Sequence, residues 1–197
     1  ARRMAKFSSL KNIVNVYDHF TENGTSYIVM EMLKGYSLAE YLETQDKEKI
    51  DVETTAQIAN EIGTALDSLH KEGIIHRDVA PDNIWMSENG VIKLMDLGAA
   101  KLADEDPDVE DKIQKIGYTP PEQTADPNNV SPKNDVYALG ATLYKCLTGI
   151  VPQVSDDRKE DDKVKPPHVL EPSISENLSN TVMKAMAIEK HMRFKDM

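Results

Sequence analysis

The sequence predicts an α+β fold, and three observations carry that expectation. Two Asn-Gly pairs each separate short runs rich in β-branched and aromatic residues. Long stretches between and after them repeat apolar residues at helical spacing. The order is two strands, helices, a second hairpin, a long loop and then more helices, a segregated arrangement and not a strict strand–helix alternation.

The first hairpin is predicted from Asn23-Gly24, which lies between Ile13–Phe20 and Thr25–Met30. Asn-Gly tolerates the positive φ angles of a tight turn. Ser37–Thr44 follows as a short helix. From Asp51 to Glu72, Ile58, Ile62, Leu66 and Leu69 recur on one face; Asp51 can cap the start and Gly73 can close the end. Asn89-Gly90 then separates Ile84–Met86 from Val91–Leu94 as a second hairpin. Ala103–Lys112 carries six acidic residues and one proline and reads as an exposed loop. Ser131-Pro132 is an N-cap followed by proline at the first helical position, opening a helix that runs to about Thr148. Its apolar residues, from Val136 to Leu147, fall on all sides, so that helix should be buried. Val154–Pro167 is charged and proline-punctuated. Ser175–Ala187 is amphipathic, with Leu178, Val182, Met183 and Met186 on one face.

With 197 residues, 40% of them hydrophobic, the chain can bury a core. The net charge of −11 argues against nucleic acid or an anionic membrane surface as partner. The single cysteine, Cys146, excludes a disulfide framework and a cysteine-based zinc site. A cytoplasmic setting is the expectation. No apolar run approaches the roughly 20 residues of a membrane helix; membrane anchoring outside this segment is left open.

The chemistry concentrates in two places. His76-Arg77-Asp78 is followed by Asn83, and Asp96-Leu97-Gly98 comes directly after the second hairpin. Phosphoryl transfer needs oxygen ligands for magnesium and an acceptor for the proton of the substrate hydroxyl. An aspartate, an asparagine and a second aspartate joined by a hairpin supply that set. Any one of them alone would be an ordinary polar loop residue; the ordered set is what carries the signal.

These motifs resemble the eukaryotic-type protein kinase family, most strongly its bacterial serine/threonine members. The likeness runs along the whole chain and implies a protein-kinase-like fold. Residues 1–33 would be a remnant of the N-lobe and residues 34–197 a mainly helical C-lobe, truncated before its last helix. By this resemblance Asp78 is the catalytic-loop base, and Asn83 and Asp96 hold metal. Pro120-Pro121-Glu122 closes the activation segment, and Arg193 pairs with Glu122. Asp135 and Gly140 mark the buried central helix, where Asp135 braces the catalytic loop. Tyr27–Leu33 resembles the strand and hinge that hold adenine. Met30 takes the gatekeeper position, the backbones of Glu31 and Leu33 face the adenine edge, and Ser37 lies near the ribose. ATP and Mg²⁺ are the implied cofactors, and a serine or threonine of a protein is the implied acceptor.

The chain departs from the family in four ways. No glycine-rich loop, strand-three lysine or helix glutamate is present; Ala1–Phe7 resembles the end of the helix that carries that glutamate. The 197 residues alone are therefore expected to be nearly inactive and to expose apolar surface that favours self-association. Ala80 stands where serine/threonine kinases usually have lysine, while Lys115 stands where the activation segment usually has threonine. Lys115 either replaces the missing ammonium at the catalytic site or is a solvated surface lysine. Trp85 replaces the leucine that floors the adenine pocket; it either stacks on adenine or fills the pocket. No Ser, Thr or Tyr lies between Asp96 and Gly117. The acidic residues of 103–112 would then pair with Arg77 without phosphorylation, or stay solvated. His76 is expected as a packed core residue, and His19, His70, His168 and His191 as scattered, without metal-ligand spacing. Two other functions are compatible with parts of the pattern. One is a pseudokinase-type nucleotide-binding scaffold. The other is a small-molecule kinase of the aminoglycoside-phosphotransferase type, a group that lacks the Pro-Pro-Glu motif and its distant arginine.

Overall fold

The computed structural model describes residues 12–96, 100–102, 114–126 and 128–197. Leu97, Gly98, the acidic run 103–112 and the stretch 1–7 lie outside them, as do the expectations attached to those residues.

The first hairpin forms as expected, from β1 (Val16–Glu22) and β2 (Thr25–Met30), antiparallel. Asn23 and Gly24 both take positive φ, 51° and 74°, as a two-residue hairpin turn requires. Ile13, expected within this strand, instead bridges to Leu94 and is fully buried. The hairpin itself is largely exposed, with Tyr17, Phe20, Tyr27, Ile28, Val29 and Met30 open to solvent.

The polypeptide then pairs β3 (Gly35–Ser37) with β5 (Ile84–Ser87), and β5 with β6 (Ile92–Leu94), in one antiparallel sheet. The second hairpin forms as expected, with a different turn from the first. Only Gly90 is left-handed, and Gly90 N–H donates to Ser87 O across a loop of three residues. A two-stranded sheet of β4 (Ile74–Ile75) and β7 (Lys101–Leu102) completes the strands.

Helix α1 (Leu38–Glu43) starts on Ser37, whose hydroxyl accepts from Glu40 N–H while the Glu40 carboxylate takes Ser37 N–H. Helix α2 (Val52–Lys71) begins at the Asp51 cap, and Gly73 beyond its end has φ of 75°. Helices α3 (Pro121–Ala125) and α4 (Pro132–Thr148) follow; α4 is buried at fourteen of its seventeen positions, as its all-round apolar pattern requires. It packs between α2 on one side and α7 (Glu176–Ala185) on the other. Gly140 permits the second contact: a Cβ there would lie 2.8 Å from Ala185 Cβ.

The charged segment 154–167 is not simply a loop. It forms α5 (Ser155–Glu160), and α6 (Pro167–Leu170) follows. Arg158 is buried, donating to the Asp162 carboxylate, Tyr137 Oη and Met186 O.

Cys146 is fully buried in α4, and burial pushes its thiol up to about 12. Since the thiolate is the reactive form, an alkylating reagent at pH 8 is expected to modify the Cys146 peptide only after denaturation. Mass spectrometry showing comparable labelling of folded and unfolded protein would contradict this packing.

Candidate active site

The loop that carries Asp78 and Asn83 lies between β4 and β5 and is held by Asp135 of α4. Asp135, with no exposed surface, accepts from the backbone N–H groups of His76 (2.9 Å) and Arg77 (2.8 Å). It also meets His70 Nε2 at 2.7 Å. Arg77 takes φ of 71°, uncommon for a residue with a side chain. His76 Nε2 lies 2.9 Å from Met95 O, while its Nδ1 accepts from Asp78 N–H at 3.3 Å. One neutral tautomer, protonated at Nε2, satisfies both contacts. His76 is thus a buried strut, as its position suggested. His70, by contrast, had no local signal; its partner lies 65 residues away.

Asp78 and Asn83 meet directly. Asn83 Nδ2 donates to the Asp78 carboxylate and to Asp78 O, both at 2.7 Å. With its nitrogen so committed, Asn83 keeps its amide oxygen, the atom a hard cation would take. Met95 N–H donates to Asn83 O at 2.8 Å, tying the stretch just past β6 to Asn83 one residue before Asp96. Asp96 is exposed and left-handed, with φ of 52°. Among the described residues no cluster of three or more His, Cys, Asp or Glu has the arrangement of a metal site. An Asn–Asp pair that leaves other positions to phosphate and water does not need one.

The segment after the undescribed residues turns back onto this loop. Lys115 Nζ lies 2.6 Å from Asp82 Oδ2 and 3.4 Å from Asp78 Oδ1. Gln123 Nε2 donates to Arg77 O at 2.9 Å. Tyr118 is buried, and burial raises its phenol above the usual range.

On the other side, Trp85 borders an open cavity of about 330 Å³ together with Met32, Leu33 and Lys93. Its indole nitrogen is buried without a hydrogen-bond partner. Met30, at the position read as the gatekeeper, ends β2 and is 45% exposed. Glu31 N–H donates to Asn15 O, and its carboxylate binds Lys93 and Asn15 N–H. Burial alone would raise that carboxyl; Lys93 and the Asn15 N–H bring it below the usual carboxylate range. Ser37, read as lying near the ribose, serves here as the cap of α1. It is buried, and its hydroxyl is committed to Glu40.

Farther out, Glu122 and Arg193 form a two-pronged ion pair at 2.6 and 2.9 Å, with Arg193 only 3% exposed.

Compared with known proteins, residues 2–193 match the family model of the protein kinase domain. The chain belongs to the protein kinase domain family. It is 35% identical over 183 residues to a probable serine/threonine-protein kinase, CPE1738, of Clostridium perfringens, covering 89% of this chain and 26% of that protein. It is 36% identical over 211 residues to the serine/threonine-protein kinase PknB of Mycolicibacterium smegmatis, covering 98% of this chain and 33% of that one. Among solved structures, the apo form of PpkA-294 superposes with a TM-score of 0.81 at 32% identity, covering 98% of this chain and 67% of that one. The kinase chain thus spans about a quarter to a third of the curated relatives it matches. No helix among the described residues is long and apolar enough to cross a membrane.

Proposed function

We propose that the protein carrying this kinase domain transfers the γ-phosphoryl group of ATP to a serine or threonine hydroxyl of a protein substrate. The Asp78–Asn83 contact at 2.7 Å is the observation that carries this reading; the Met95–Asn83 hydrogen bond, one residue before Asp96, supports it. Asp78 accepts the hydroxyl proton and orients the attacking oxygen. The oxygens of Asn83 and Asp96 suit magnesium, which when bound neutralises charge on the phosphates. The remaining work is positioning and electrostatics. The hinge backbones of Glu31 and Leu33, beside Met30, would receive adenine, with Leu33 and Trp85 lining one cavity.

The lysine and glycine-rich loop that the resemblance calls for are not among these 197 residues. Transfer is therefore expected of the full-length protein, with residues 1–33 acting as part of the N-lobe and 34–197 as the C-lobe. The exposed apolar side chains of β1 and β2 support self-association of the 197 residues on their own. A cytoplasmic catalytic domain fits this reading.

The test is transfer of labelled phosphate by the full-length protein, with magnesium and a basic protein substrate, beside an Asp78→Asn control. Transfer should fall to background in the control. Trp85 emission should change at saturating nucleotide in both. A nucleotide-dependent emission change without any transfer would instead favour a nucleotide-binding scaffold, for which Ala80 and Trp85 are the supporting observations.

A further inference from the structure

Ala80, two positions beyond Asp78, is fully buried and brings only a methyl group to the catalytic loop. Asp78 and Asp82 both carry negative charge there, and Asp96 adds a third carboxylate nearby. A phosphoryl group arriving among carboxylates needs a cation, because its transition-state charge must be met by a preorganised opposite charge. Among the described residues, the ammonium that reaches Asp78 is that of Lys115, from a turn 37 positions along the chain.

The placement of Lys115 is built into the backbone. Its N–H donates to Thr119 Oγ1 at 2.7 Å, and its carbonyl accepts from Tyr118 and Thr119 N–H, both at 3.0 Å. Thr119 O in turn accepts from the buried Ser155 hydroxyl at 2.8 Å, fastening this turn to α5. Gly117, with φ of 82°, lets the turn press against Val151 and Pro152; a Cβ there would lie 2.6 Å from Val151 Cγ1. The Lys115 side chain is 27% exposed, so its ammonium sits at the cleft surface, neither entombed nor free. An ammonium has three donors. Asp82 and Asp78 face two of them, leaving one for a phosphate oxygen.

We propose that Lys115 supplies the positive charge at the transferred phosphoryl group, and that Asp82 holds it there. Asp82 is then a positioning residue and not a reader of basic residues on the substrate. This inference rests on the phosphotransfer reading above.

The experiment measures kcat and KM for phosphate transfer by the full-length protein and by its Lys115→Met, Lys115→Arg and Asp82→Asn variants. Melting temperature and Trp85 emission with nucleotide are recorded for each. Loss of one preorganised charge at the transition state should lower kcat of Lys115→Met roughly 10²–10³-fold. Its melting temperature and nucleotide response should stay close to those of the unmodified protein. Lys115→Arg should retain much of the rate. Asp82→Asn should lower kcat while leaving KM for a basic substrate unchanged. An unchanged kcat in Lys115→Met would overturn the role of Lys115, as would a loss matched by a collapse in melting temperature. A raised KM with unchanged kcat in Asp82→Asn would make Asp82 a substrate reader and overturn its positioning role. An inactive unmodified protein would remove the phosphotransfer reading itself, an outcome distinct from all of these.

Discussion

Glu122→Ala is expected to destabilise the kinase domain by about 3–5 kcal/mol, because it leaves a buried guanidinium without its counter-charge. All five N–H donors of Arg193 are engaged. Nε donates to Ala187 O, Nη1 to Glu122 and Lys133 O, and Nη2 to Glu122 and Ile188 O. Its guanidinium carbon also lies 4.9 Å from the centre of the Tyr137 ring. Three backbone carbonyls remain after the substitution, and they carry partial charge only. For a domain whose whole stability is of order 5–15 kcal/mol, a loss of this size is a large fraction. It corresponds to a fall in melting temperature of roughly 6–20 °C at this domain size. Glu122→Gln keeps the shape and one acceptor and should fall between. A change below about 1 kcal/mol in Glu122→Ala would mean that water reaches Arg193 and that the pair behaves as a surface bridge. The consequence reaches the site, since the neighbouring Gln123 holds Arg77 O.

What the sequence reveals depends on how local each cause is. The Asp78–Asn83 contact joins residues five apart, and Asp96 follows a hairpin whose Asn-Gly turn is visible in the chain. The caps of α2 and α7, Asp51 and Ser175, are equally local. Other features have no local trace. Strands β3, β4 and β7 are two or three residues long, too short to show alternation, and exist because a distant strand pairs with them. Segment 154–167 looked like a loop because its charges suggest solvent. Arg158 is buried all the same, since Asp162, Tyr137 and Met186 satisfy it. Ser37 suggests a ligand contact by position, but Glu40 three residues later is the capping-box signal that claims its hydroxyl. The Glu122–Arg193 pair spans 71 residues and was legible only through the family resemblance.

The same distinction decides what Asp135→Asn should do. Asparagine keeps the shape of the side chain but replaces one acceptor oxygen with a donor that faces a donor. His76 and Arg77 N–H groups, both buried, would then share a single acceptor. An orphaned buried donor costs about 1–3 kcal/mol. His70 Nε2 loses its anionic partner as well. Stability alone would make this a moderate change; the larger effect should be on rate. Arg77 holds a left-handed conformation that persists only while its surroundings over-determine it. Asp78 is the next residue, so relaxation at Arg77 displaces the group proposed above as the base for the substrate hydroxyl. A misplacement of about 1 Å costs on the order of 10²-fold in rate. Phosphate transfer by full-length Asp135→Asn is therefore expected to fall about 10²-fold, while Trp85 still reports nucleotide binding across the cleft. A parallel loss of nucleotide response would mean that Asp135 supports the whole domain. An unchanged rate would mean that the loop keeps its geometry without the carboxylate, which would place the restraint on Asp78 in the Gln123 and His76 contacts.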